Sequence, residues 1–73
     1  MKPAAARIIY VNDRPREIAG EIKLMELVRE LGLEGKKGVA VAVNGGVVGR
    51  ADWDRWGLVT GDRVLVIQAT QGG

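Results

Sequence analysis

Arg63-Val64-Leu65-Val66-Ile67-Gln68-Ala69-Thr70-Gln71-Gly72-Gly73 is the stretch whose reading governs the rest of the chain. Its first seven residues are dense in β-branched and aliphatic side chains and read as a strand. Side chains alternate along a strand, so Val64 and Val66 share one face while Leu65, Ile67 and Ala69 share the other. A single helix covers one face of a sheet. If Val64 and Val66 lie beneath it, Leu65 and Ile67 form an apolar patch on the open face, the kind of surface that marks partner sites. The alternative is that the loop holding Trp53 and Trp56 folds over them.

Working back from this strand, Gly61-Asp62 is a turn, and residues 50–59 show little periodicity, as expected for a loop with one helical turn. Val39-Ala40-Val41-Ala42-Val43 alternates large and small side chains and reads as a strand. Asn44-Gly45-Gly46 turns it into a short strand at Val47-Val48. Leu24, Leu27, Val28 and Leu31 sit at i, i+3, i+4 and i+7, which predicts an amphipathic helix over Lys23–Leu31 ended by Gly32. No Ser, Thr, Asp or Asn stands at a plausible N-cap. At the front, Ile8-Ile9-Tyr10-Val11 reads as a strand, with a turn through Asn12-Asp13-Arg14-Pro15 and a short return at Arg16-Glu17-Ile18. Pro15 places that return at a sheet edge or a strand start.

The order strand, strand, helix, strand, short strand, strand predicts an α+β layer fold with a mixed sheet of four to five strands on one helix. First and last strands can pair in parallel at its centre, the β-grasp or ubiquitin-like pattern. The 73 residues make one domain, with 1–6 expected to be disordered and 70–73 to form a mobile functional tail. With 47% apolar residues a compact core is feasible without staples.

Composition narrows the chemistry. The chain has no Cys, His, Ser or Phe. A hydrolase triad and a thiol nucleophile are thereby ruled out, and no metal centre or bound cofactor is expected. Seven Arg and four Lys among nine carboxylates leave a net charge of +2, well short of a nucleic-acid footprint. No apolar run is long enough for a signal peptide or a membrane span, so a cytoplasmic location is expected. Asp52 and Asp54 suit a turn or cap better than a paired-carboxylate site. Gly45-Gly46-Val47-Val48-Gly49 lacks the Lys-Ser/Thr of a phosphate loop. A carrier, binding or structural role is preferred over self-contained catalysis.

The final glycines gain meaning from their place. At about 7% glycine, two in a row at a terminus occur in roughly 1 chain in 200, and this chain's own richness raises that to about 1 in 40. Directly after a strong strand, however, side-chain-free residues can enter a channel that rejects any Cβ. Residues Thr70, Gln71, Gly72 and Gly73 reach at most about 13 Å, enough to place a carboxylate in another protein's active site.

Val11-Asn12, Leu27 with Leu31, Ala42-Val43-Asn44, Val48, Arg50-x-x-Trp53, Gly61-Asp62 and Gly72-Gly73 together make the chain resemble the ThiS family, sulfur carriers of thiazole formation in thiamine biosynthesis. The likeness runs from Ile8 to Gly73. The N-terminal extension through Ala6 is longer than usual for that family, and Lys23 stands where a helix-capping Thr is common. The resemblance implies that a ThiF-like adenylyltransferase uses ATP and Mg²⁺ to adenylate the Gly73 carboxylate. A persulfide sulfur donor then yields a thiocarboxylate, which a ThiG-like thiazole synthase consumes. Leu65 and Ile67 are the docking candidates, with Arg63 or Arg50 adding charge. For Arg50 the alternative is a solvated surface arginine, and for Trp53 and Trp56 it is core or loop packing. Carriers for molybdopterin, tRNA thiolation or cysteine synthesis share the fold, although the molybdopterin carrier usually has Phe and Pro before its tail. A ubiquitin-like protein modifier and a β-grasp interaction module without tail chemistry remain open as other classes.

Overall fold

The computed structural model describes residues 7–69. The expectations for 1–6 and for Thr70, Gln71, Gly72 and Gly73 lie outside the described residues. Strands β1 (Arg7–Val11) and β2 (Arg14–Ile18) form a hairpin, followed by β3 (Ile22–Lys23) and helix α1 (Leu24–Glu30). Strands β4 (Val39–Val43) and β5 (Gly46–Val48), a 3₁₀ turn (Arg50–Asp52), β6 (Gly57–Leu58) and β7 (Arg63–Gln68) complete the order. The main sheet runs β2-β1-β7-β4-β5. β7 pairs in parallel with β1 and antiparallel with β4, which puts it at the centre of a mixed five-stranded sheet. With α1 on one face, this is the expected β-grasp arrangement.

Two hairpins differ in detail from the sequence reading. The first turn is only Asn12-Asp13, both at positive φ (51° and 69°), so the return strand starts at Arg14 and includes Pro15. Two consecutive left-handed residues match the right-handed twist of a tight hairpin, and Asn and Asp tolerate that region better than other side chains do. Pro15 is accommodated because β2 is a sheet edge. The second turn is likewise only Asn44-Gly45, with φ of 51° and 87°, so Gly46, expected in the turn, opens β5 opposite Val43. Within residues 50–59 the sequence showed no strand, yet β6 pairs with β3 through Ile22↔Leu58 and Lys23↔Gly57. Two residues are too few to produce a periodicity.

Helix α1 is one residue shorter at each end than predicted, with Lys23 and Leu31 as its caps. Its missing N-cap side chain is replaced from outside. The Leu24 and Met25 amides donate to the carbonyls of Trp56 (2.7 Å) and Trp53 (2.9 Å), and the Lys23 amide donates to Glu26 Oε1 at 3.2 Å. Orphan amides of the first turn are thus satisfied by tertiary contacts. At the other end Gly32 (φ 76°) donates to Arg29 O, and Leu33 to Val28 O, the paired bonds of a Schellman ending.

The core lies between α1 and one sheet face. It contains Ile9, Leu24, Leu27, Val28, Val41, Val43, Val48, Trp53, Leu58 and Val64. Trp53 is 1% exposed, and its indole N–H donates to Val48 O at 2.9 Å, so the packing reading of this residue holds. Among the described residues no helix is long and apolar enough to cross a membrane.

Candidate functional site

Strand β7 is the element on which the candidate site is built. Val64 faces the core at 2% exposure and Val66 is half-buried, whereas Leu65 and Ile67 are 49% and 52% exposed. Both tryptophans lie elsewhere. Trp53 is inside the core, and the Trp56 carbonyl caps α1, so the loop does not cover the two aliphatic residues.

The strand register supplies the neighbours that sequence reasoning missed. Directly opposed residues share a face, so Ala42 sits beside Leu65, Ala40 beside Ile67, and Val47 beyond Ala42. Tyr10 flanks the patch through its parallel partner Arg63. Val47 is 82% and Tyr10 37% exposed, so the open face carries a continuous apolar band. The alternation in Val39–Val43 already separated the two alanines from the valines. Their small side chains leave Leu65 standing proud of the surface beside a groove of about 310 Å³ between Tyr10, Asn12, Ala42, Arg63 and Leu65. Arg63 and Asp13 line this groove with opposite charges, the Arg63 guanidinium lying 5.6 Å from the centre of the Tyr10 ring.

Arg50 stands apart from that band. Its guanidinium lies 4.9 Å from the centre of the Trp53 ring and donates to Lys36 O at 2.9 Å, which ties the 3₁₀ turn to the loop after α1. Asp52 lies in the 3₁₀ turn and pairs with Arg55 at 3.5 Å. Among the described residues no cluster of three acidic side chains could hold a metal ion.

Three polar side chains secure β7. Asn12 and Asn44, each the first residue of a hairpin turn, bond to its backbone at Val66 and Arg63 respectively. Asp62, 8% exposed, accepts from Asn44 Nδ2 (3.0 Å) and from the Val59 amide (2.9 Å). Its lone pairs are therefore used in holding the turn that feeds β7. The sequence showed these residues as turn formers, and nothing in the spacing showed which strand they would grip.

Comparison with known proteins adds to this geometry. The model of the ThiS family matches residues 9–73. No curated protein matches the chain. The fold is similar to the crystal structure of a thiamine biosynthesis protein (ThiS) from Geobacter metallireducens. The two are 28% identical with a TM-score of 0.75, over 90% of this chain and 99% of that one. A solution structure of a thiamine biosynthesis protein from the same organism is similar at 28% identity and TM-score 0.73, over 90% and 87% of the two chains.

Proposed function

Because the chain belongs to the ThiS family, we propose that it is a sulfur carrier in thiamine biosynthesis whose Gly73 carboxylate bears the sulfur. The observation that carries this reading is the course of β7. A strand secured at the centre of the sheet, with an exposed apolar flank, runs directly into Thr70-Gln71-Gly72-Gly73.

The chemistry follows from the poor electrophilicity of a carboxylate. An activating enzyme of the ThiF type, using ATP and Mg²⁺, joins the Gly73 carboxylate to AMP and releases pyrophosphate. The acyl-adenylate then has a good leaving group. A persulfide sulfur attacks the carbonyl carbon and AMP departs, leaving an acyl disulfide. A thiol supplies the two electrons that cleave its S–S bond, which frees the thiocarboxylate. Thiazole synthase takes that sulfur as the nucleophile of ring formation. The chain acts as a cosubstrate, and Gly72 keeps the approach to Gly73 narrow. We assign docking of the activating enzyme to Leu65 and Ile67, with Arg63 contributing charge at the edge of the patch. Desolvating two exposed aliphatic side chains is favourable, and a flanking cation selects orientation.

Intact mass spectrometry tests the reading. The full chain, incubated with ATP, Mg²⁺, a persulfide donor and the cognate activating enzyme, gains the mass difference of one oxygen replaced by one sulfur. Removal of Gly73 abolishes the gain. An unchanged mass with an enzyme that is otherwise active overturns the carrier assignment.

A further inference from the structure

A tail of four residues can present its end correctly only if its root points the right way, and two contacts fix that root. β1 pairs with β7 at Tyr10↔Arg63 and Val11↔Val64, and the chain turns back at Asn12-Asp13 after the Asn12 amide has donated to Val64 O at 2.9 Å. β7 continues beyond that point, so the Val66 N–H and C=O on the β1 side have no backbone strand to meet. The Asn12 carboxamide takes the strand's place. Its Oδ1 accepts from the Val66 amide at 2.8 Å, and its Nδ2 donates to the Val66 carbonyl at 3.2 Å. A primary amide offers the same donor–acceptor pair as a peptide group, so this side chain adds one rung to the parallel ladder. On the opposite edge, the Ala69 amide donates to Gly38 O at 2.8 Å. Gly38 has φ 75°, and a Cβ there would lie 3.2 Å from Ala69 O, so only glycine allows this approach without displacement.

We propose that Asn12, together with Gly38, is a positioning residue that fixes the course of β7 from Val66 to Ala69, and so the rate at which the activating enzyme acts on Gly73. The inference rests on the carrier reading above. The molecule contains its own control. Asn44 occupies the equivalent place in the other hairpin, with the same φ of 51°, and its Oδ1 accepts from the Arg63 amide at 2.9 Å. It grips β7 at the start of the strand, while Asn12 grips it near the exit.

The test compares Asn12→Gly with Asn44→Gly in the full chain. Glycine accepts the left-handed turn conformation, so each substitution removes a bridge and keeps the hairpin. Amide hydrogen exchange is followed by NMR, and pyrophosphate release by the activating enzyme is measured against carrier concentration. In Asn12→Gly, exchange at Val66 accelerates about tenfold or more. Its kcat falls about three- to tenfold, while KM for the carrier stays within about twofold because Leu65 and Ile67 are untouched. In Asn44→Gly, kcat stays within about twofold of the parent. An unchanged kcat in Asn12→Gly despite faster Val66 exchange overturns the proposal. Equal losses of kcat in both variants overturn it too, since that pattern reports general loosening of the sheet. If Asn12→Gly does not fold, Asn12→Asp keeps the turn and an acceptor for the Val66 amide but replaces the donor with a carboxylate oxygen that repels the Val66 carbonyl, and an unchanged kcat there is equally decisive. Absence of pyrophosphate release with the parent chain sinks the carrier reading itself and this inference with it. Release by the parent with no effect of Asn12 substitution sinks this inference alone.

Discussion

Val64 and Leu65 are neighbours in the chain and similarly apolar, yet one is 2% exposed and the other 49%. The difference runs along the whole of β7, which separates a face covered by α1 from a face that stays open among the described residues. On the covered side, Val64 and Trp53 hold the fold together, and their removal leaves a cavity. On the open side, Leu65 and Ile67 leave about half of their surface exposed and Val47 most of it, so their apolar character is only partly accounted for by stability. One face of the strand serves folding, and the other is free to serve recognition.

The sharpest way to break this division is on the covered side. Trp53→Ala removes a buried indole and its hydrogen bond to Val48, with an expected loss of about 3–5 kcal/mol. A 73-residue domain has roughly 4–11 kcal/mol in total, so the urea midpoint of this variant should fall by at least about a quarter, and at the lower end of that range the native baseline disappears. A fully cooperative transition near the parent midpoint would mean that the core does not depend on Trp53.

On the open side the expectation reverses. Leu65→Thr combined with Ile67→Thr keeps strand propensity while removing apolar area. Stability should stay within about 1 kcal/mol of the parent, while KM for the carrier with the activating enzyme rises tenfold or more, equivalent to about 1.4 kcal/mol. A large drop in the urea midpoint with unchanged KM would move these residues into the structural class.

The smallest effect concerns Arg50, which sits outside both categories. Its stacking on Trp53 and its bond to Lys36 O predict a loss of about 0.5–1 kcal/mol in Arg50→Ala. KM should remain within about twofold. A tenfold rise in KM would extend the docking surface around the sheet margin to include it.

Much of this division was legible in residue order. The alternation in Arg63–Ala69 separates its two faces, the spacing of Leu24, Leu27, Val28 and Leu31 gives the helix, and Asn44-Gly45-Gly46 gives a turn to within one residue. These signals are local, because they arise from backbone geometry and the periods of strand and helix. Other features were not readable. The helix began without a capping side chain, and its amides proved to be met by carbonyls of Trp53 and Trp56, some thirty residues away in the chain. The two-residue β3–β6 ladder left no pattern. Whether the tryptophan loop covered Leu65 and Ile67 could be posed from the sequence and was answered by the burial of Trp53 on the helix side.

Residue order was sufficient for the element order, for the absence of Cys, His and Ser, and for a strand leading into Gly72-Gly73. It could also name the two candidate docking aliphatics. Packing in three dimensions decided the remainder: which face of β7 stays open, that Ala40, Ala42, Tyr10 and Val47 extend the apolar band, that Arg50 is tied to Trp53, and that Asn12 and Asn44 grip the central strand. The physical reason is range. Propensity and periodicity act within a few residues, whereas burial and the pairing of orphan backbone groups depend on partners far away in the chain, such as Asn12 and Val66, 54 positions apart, which meet only when the sheet closes.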